Sequence, residues 1–263
     1  MTDSTTAPTL RAVVTGASSG IGAATVRLLR SHGWEVTAVA RRADRLAALA
    51  EETGCSVVVA DLTVASDADA LAERVRAAGP LHALVANAGG AIGADPVESV
   101  SAQVLADSFA LNVLTAHAAI AALLPSLRQG AAERGSGDIV AVTSTAGQVA
   151  YEGGGAYNAA KFALRGLLGA LRLELAGEPL RVVQIAPGMV RTEEFAIKRL
   201  GGDTAKVQAL YAGVEHPLLA EDIAEAIVHA IELPGHVNLD EVTIRPVAQA
   251  AQHKLVREPL RVR

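Results

Sequence analysis

Leu10-Arg11-Ala12-Val13-Val14-Thr15-Gly16-Ala17-Ser18-Ser19-Gly20-Ile21-Gly22-Ala23-Ala24-Thr25-Val26-Arg27-Leu28-Leu29 decides the fold. The β-branched run reads as a strand, the glycines as a turn, and the apolar stretch after Gly22 as a helix. Glycines at such a turn let the backbone approach a pyrophosphate closely. The helix N-terminus adds unpaired N–H groups and the positive end of a dipole. The spacing is Gly-x-x-x-Gly-x-Gly, not the commoner Gly-x-Gly-x-x-Gly. Alone, this is also how an ordinary strand-to-helix turn reads; its weight comes from opening an alternating pattern.

The alternation continues through most of the chain. Strands are expected at 10–15, 35–40, 56–60, 83–86, 138–143, 181–186 and 241–245. Helices are expected between them, at 21–32, 43–53, 65–78, 102–128, 157–176 and 221–232. Near-continuous β-branched strands alternating with helices imply an α/β fold whose parallel sheet is covered by helices on both faces. The organisation expected is a loose tail at 1–9, a single domain at 10–250 and a C-terminal tail at 251–263. The longest irregular stretch, 188–217, follows the sixth strand, contains marginal helical pieces and is expected to cover the site. In open α/β sheets ligands sit at the carboxyl ends of the strands. Gly16–Gly22, Asn87–Gly89, Ser144 and Pro187-Gly188 all follow strand ends and are expected to converge there.

Tyr157 and Lys161 lie four residues apart in Ala156-Tyr157-Asn158-Ala159-Ala160-Lys161-Phe162. On a helix that spacing puts both side chains on one face, about 6 Å apart along the axis. A cation beside a phenol favours the phenolate and lowers its pKa, which makes the pair a plausible proton donor and acceptor near neutral pH. On an isolated helix such a pair is ordinary surface. Asn112 lies within the apolar stretch Phe109-Ala110-Leu111-Asn112-Val113-Leu114, where a buried amide must find partners. Arg41 and Arg42 close the second strand, where an acidic residue would take ribose hydroxyls and an arginine accommodates a 2′-phosphate. Ser18 could add a hydroxyl contact to the same phosphate.

Taken in order, Thr15-Gly16-Ala17-Ser18-Ser19-Gly20-Ile21-Gly22, Asp61-Leu62, Asn87-Ala88-Gly89, Asn112, Ser144, Tyr157-x-x-x-Lys161 and Pro187-Gly188 resemble the short-chain dehydrogenase/reductase family over nearly the whole chain. One departure is Ala86 before Asn87, where many members carry a second Asn. The resemblance implies a doubly wound Rossmann-type sheet of about seven strands and a nicotinamide-dependent oxidoreductase. It implies Tyr157 as acid/base and Lys161 as the cation that lowers its pKa and binds the nicotinamide ribose. Ser144 would position the substrate oxygen, and Asn112 would hold a water of the proton relay. Cofactor contacts are implied for Gly16, Ser18, Ser19, Gly20, Ile21, Gly22, Arg41, Arg42, Asp61, Leu62, Asn87, Ala88, Gly89, Tyr157, Lys161, Pro187, Gly188, Val190 and Thr192. A narrower resemblance, carried by 187–195, 217–224 and 245–249, is to NADP-dependent 3-hydroxy acid dehydrogenases.

The expectation is therefore an NADP(H)-dependent enzyme acting on a secondary alcohol or carbonyl, such as a short 3-hydroxy acid. The alternatives are a ketone or aldehyde reductase of secondary metabolism, and a catalytically silent dinucleotide-binding regulator. The regulator should lack one of Ser144, Tyr157 or Lys161; this chain keeps all three.

The bulk properties bound the partners. The 263 residues carry a formal charge of −5, which argues against a nucleic-acid surface. The single cysteine, Cys55, excludes an internal disulfide and fits a reducing compartment. The histidines show no metal-ligand spacing, so no metal is expected. No stretch is read as a membrane span or signal peptide, and a cytoplasmic location is expected. Small residues on 102–128 and 157–176, including Ala118, Ala122, Gly166 and Gly169, favour close helix packing between copies, hence a homotetramer or homodimer. Met189, Phe195 and Tyr211 are expected to line a lid, with Arg191, Lys198 or Arg199 attracting a substrate carboxylate.

Overall fold

The computed structural model describes residues 9–192 and 194–262. The tail expected at 1–9 therefore lies, apart from Thr9, outside the described residues. Seven strands form one sheet: β1 Arg11–Thr15, β2 Glu35–Ala40, β3 Ser56–Val59, β4 Ala83–Ala86, β5 Gly137–Val142, β6 Leu180–Pro187 and β7 Glu241–Ile244. Every pairing is parallel, in the order β3-β2-β1-β4-β5-β6-β7. The order reverses between β1 and β4, so a crevice opens beyond the carboxyl ends of those two strands.

Strand side chains alternate between two cores, as a period of two requires. Ala12, Val14, Val85, Val140 and Ile185 face one layer, built from α1 (Gly20–Ser31), α2 (Ala43–Thr53) and α9 (Ala220–Glu232). Val13, Leu84, Ile139 and Val182 face the other, built from α3 (Ala65–Ala78), α5 (Thr115–Arg134) and α6 (Gly155–Glu174). Both faces are thus covered, and the central strands need no polar side. At the opposite edge from the crevice, Arg181 Nε reaches Asp138 Oδ1 at 2.6 Å and its other nitrogens bond carbonyls of 231–237. Burial raises the Asp138 pKa, against the pull of Arg181. Removing Asp138 would strand the buried Arg181 charge, at about 3–5 kcal/mol, whereas on loss of Arg181 the Asp138 carboxylate would keep Arg134 at 3.2 Å.

Two regions differ from expectation, at 102–134 and at the C-terminal boundary, and the helical pieces expected in 188–217 are present. The helix expected at 102–128 begins as α4 (Ala102–Phe109), capped by Ser101 Oγ on the Val104 amide at 3.2 Å. It then widens into a π-turn at Ala110–Leu114 before α5, which runs on to Gly135 in the left-handed region at φ 83°. By length and composition Ala102–Arg134 could cross a membrane; half of its apolar window is buried inside the molecule. Residues 188–217 hold two short helices, α7 (Phe195–Arg199) and α8 (Thr204–Tyr211). The boundary drawn at 250 falls inside a hairpin, β8 (Gln249–Ala251) with β9 (Lys254–Leu255).

Candidate active site

The glycine turn after β1 is built by close backbone approach. Gly16 and Gly20 have positive φ, 65° and 53°. A Cβ on Gly16 would lie 2.9 Å from Ala88 Cα, and one on Gly22 would run into the Gly16 carbonyl. Thr15 and Asn87 bolt this turn to the end of β4. Thr15 Oγ1 accepts from the Asn87 and Ala88 amides, each at 3.0 Å, and Asn87 Nδ2 donates to the Thr15 carbonyl at 3.0 Å. Ser18, Ser19, Gly20, Ile21 and Gly22 thereby open α1 directly above the crevice. Gly16 and Gly22 leave no room for a side chain, and the backbone N–H groups that open the helix suit an anion on its N-terminus.

At the end of β2 the two arginines diverge. Arg42 turns inward: Nη2 bonds Ser18 Oγ at 2.8 Å and Ser19 Oγ at 2.9 Å, and Nε bonds Ser18 Oγ at 3.1 Å. Arg41 is largely exposed and leans on Asp61 Oδ2 at 3.5 Å. Asp61 Oδ1 is taken by the Thr63 amide and hydroxyl, and these bonds lead in holding its carboxyl below the usual range. Leu62 is buried in the core, so only its backbone is available to a ligand.

Tyr157, Lys161 and Ser144 meet at the ends of β5 and α6. Ser144 lies close enough to the Tyr157 phenol to act against the rise in its pKa, and its hydroxyl accepts from the Ala146 amide at 3.1 Å. Asn158 Nδ2 donates to Ala146 O at 2.7 Å, fixing the Ser144 turn on the helix that carries Tyr157. Lys161 Nζ donates to Val142 O at 3.1 Å and sits 5.7 Å from the Tyr157 ring centroid. Burial dominates both groups. It pushes the phenol up, opposed by Ser144 and Arg199, and brings the ammonium down to about 8. The expected lowering of the phenol by Lys161 is not found: the phenol is raised, the ammonium is turned to the Val142 carbonyl, and the ring is enclosed by apolar neighbours.

Asn112 is wholly buried in the π-turn. Its Nδ2 donates to Gly90 O at 2.8 Å and Ser108 O at 2.9 Å, and its Oδ1 accepts from the Gly90 amide at 3.1 Å. One Oδ1 lone pair remains for a further donor. Gly89 lies between this amide and Lys161: a Cβ there would be 2.8 Å from Asn112 Oδ1 and 3.5 Å from Lys161 Nζ. The widened turn sets Asn112 at this depth, in keeping with the frequent occurrence of π-bulges at functional sites.

The comparisons with known proteins agree with this geometry. The short chain dehydrogenase family model matches residues 11–200. The chain belongs to the short-chain dehydrogenase family. An uncharacterized oxidoreductase of Mycobacterium tuberculosis is 46% identical over 250 residues, covering 95% of this chain and 96% of the relative. An NADP-dependent 3-hydroxy acid dehydrogenase of Salmonella typhi is 35% identical, covering 90% and 95%. The closed form of a serine dehydrogenase complexed with NADP+ superimposes with a TM-score of 0.83 at 32% identity, covering 97% of this chain and 99% of that one.

The loop after β6 lies over Tyr157. Phe195 meets Tyr157 edge-on, with centroids 5.8 Å apart, and Tyr151 completes the apolar surround. Tyr211 donates to Val190 O at 3.1 Å, and Val190 pairs with Leu218, so the loop is tied at both ends. Thr192 lies against Gly20: a Cβ on that glycine would be 3.4 Å from Thr192 Cγ2. Of the three loop cations, Lys198 is engaged by Glu194 at 2.6 Å and Arg191 is exposed. Arg199 lies 5.2 Å over the Tyr151 ring, and its charge reaches Tyr157. Its buried Nε has no hydrogen-bond partner.

Sequence reasoning missed two supports. Gln249 Oε1 accepts from the Met189 amide at 2.8 Å, bracing the loop just after Pro187-Gly188. Thr145 Oγ1 bonds Gln252 Oε1 at 3.0 Å, bracing the turn beside Ser144. Polar residues in a C-terminal segment carry no periodic signal that would have marked them. Among the described residues no group of three His, Cys, Asp or Glu is arranged to hold a metal.

Proposed function

We propose that this protein is an NADP(H)-dependent oxidoreductase that moves a hydride between the nicotinamide and a carbonyl or secondary-alcohol carbon, with a short 3-hydroxy acid as the substrate class. The observation that carries this is the buried Tyr157 packed edge-on against Phe195, with Lys161 behind its ring and Ser144 beside its phenol. The backbone cradle at Gly16–Gly22 and the Arg42–Ser18–Ser19 cluster fit a dinucleotide bearing a 2′-phosphate. When bound, that cofactor supplies or accepts the hydride.

The protein's own residues do the rest. The Tyr157 phenol, kept protonated by burial, donates its proton to a carbonyl oxygen on reduction and recovers it on oxidation. Ser144 holds that oxygen beside the phenol. Lys161 offers its ammonium to the nicotinamide ribose, and Asn112 the free lone pair to a relay water. Phe195 and Tyr151 exclude water from the reacting carbon. Arg199, with an unpartnered Nε beside this enclosure, takes the substrate carboxylate.

The test is a turnover screen with NADPH and NADP+ across short 3-hydroxy acids, their neutral esters, aldehydes and ketones. Faster turnover of acids than of their esters supports the reading. Equal rates would favour a neutral-carbonyl reductase, and cofactor binding with no turnover a silent binder. We further propose a homotetramer, with a homodimer as the alternative, in the cytoplasm. Phe162, Gly166, Gly169 and Leu173 form one stripe on α6; Phe162 is 42% and Leu173 79% exposed. A Cβ added at either glycine would meet nothing within 4 Å. Light scattering at micromolar concentration showing a monomer would overturn the assembly.

A further inference from the structure

Glu194, just before α7, holds its carboxylate against residues from three other parts of the chain. Arg42 Nη1 bonds one oxygen, and Arg45 Nη2 is 3.9 Å from the same atom. Lys198 Nζ and Ser19 Oγ reach the other at 2.6 and 3.4 Å. The Arg42 guanidinium simultaneously holds Ser18 and Ser19. Three cations and a hydroxyl thus converge on one carboxylate whose side chain is only 19% exposed. The cluster lies where β2 ends and α1 begins, where the proposed 2′-phosphate would sit.

We propose that Glu194 is an internal occupant of the 2′-phosphate subsite, and so a specificity-determining residue that couples the substrate loop to the choice of cofactor. This rests on the reading of Arg42 as a phosphate ligand. A carboxylate and a phosphate seek the same guanidinium fork, and two anions on one fork repel. A cofactor bearing the phosphate must displace Glu194 from Arg42. A cofactor with a free ribose hydroxyl has no such conflict, because the hydroxyl can donate to the carboxylate where it stands. The preference for NADP over NAD is then the difference between the attraction of Arg42 and the competition of Glu194. Loss of the Glu194–Arg42 bond also frees the start of α7, and with it Phe195 over Tyr157.

The experiment titrates NADP+, NAD+, 2′,5′-ADP and 5′-AMP into the wild-type protein and E194Q by calorimetry, with no substrate present. Glu194→Gln should tighten the two 2′-phosphorylated ligands by about tenfold and leave the other two unchanged or weaker. Equal shifts for both classes, or none, would overturn the proposal. A wild-type protein that prefers NAD+ would instead remove the NADP reading, while the E194Q ratio would still decide this one. If E194Q does not fold, hydrogen exchange on the wild-type protein decides. 2′,5′-ADP should raise exchange at 194–200 and 5′-AMP should not; protection there by 2′,5′-ADP would count against displacement.

Discussion

Two ionisable clusters share the carboxyl edge of the sheet, and burial governs one while ion pairing governs the other. Around Tyr157 and Lys161 the neighbours are Ala91, Ala146, Tyr151 and Phe195, and enclosure favours the neutral form of each group. Around Glu194 burial also opposes ionisation, yet Arg42 and Lys198 overcome it and hold the carboxyl down at about 2. The first arrangement keeps a proton available to a reacting oxygen. The second concentrates positive charge that Glu194 occupies and that, in the proposal, an anionic ligand takes over. Under the proposed function, a site that both moves a proton and chooses between cofactors differing by one phosphate uses both.

The most severe way to break this comparison is Tyr157→Phe, which leaves the apolar enclosure and deletes the proton. Turnover should fall on the order of 10² or more while NADP+ affinity, read by calorimetry, stays near that of wild type. Retained turnover would take Tyr157 out of the chemistry. The charged cluster is broken by Arg42→Asp, which puts repulsion where the phosphate needs attraction. It should move the NADP+/NAD+ affinity ratio toward NAD+ by more than about tenfold, and Arg41→Asp by clearly less, since Arg41 is exposed and turned to Asp61. A reversed order would reassign the phosphate contact.

Arg199 lies beside the first cluster, over the Tyr151 ring. Arg199→Met should raise KM for an acidic substrate about tenfold or more and leave KM for the matching neutral ester nearly unchanged. The same change for both would leave the carboxylate contact unsupported. The smallest effect concerns stability. The unfolded chain keeps the Lys161 proton up to its ordinary value of 10.5, whereas the folded protein releases it at about 8. Between those values the unfolded state binds more protons, so this group makes stability rise with pH across that window. Urea unfolding of wild type and Lys161→Met at pH 7 and pH 10 should show the wild type gaining on the variant at the higher pH. A pH-independent difference would mean that the lysine titrates normally.

What the sequence makes legible here is what short-range chemistry determines. The strand ends were readable to within a residue or two because β-branched runs are bounded by glycine, proline or charge. Tyr157 and Lys161 were readable as one face because four residues on a helix fix their separation. The glycine turn was readable because only glycine permits the approach seen at Gly16. The choice of Arg42 over Arg41 depends on Ser18 and Ser19, about two dozen residues earlier. The partner of Arg42 lies 152 residues later, on a loop without periodicity. The π-turn leaves no mark in an apolar stretch, since one extra residue per turn preserves the composition that reads as helix.

The hairpin β8–β9 bears on how the protein is made. Thr145 and Met189 wait for glutamines 107 and 60 positions further along the chain. On the ribosome, β1–β6, the nucleotide cradle and Tyr157 have all been synthesised while the Ser144 turn and the start of the substrate loop still lack their braces. Under the proposed function, a chain lacking residues 249–252 is expected to bind nucleotide before it turns over substrate, and a truncation series probed with both ligands tests that order.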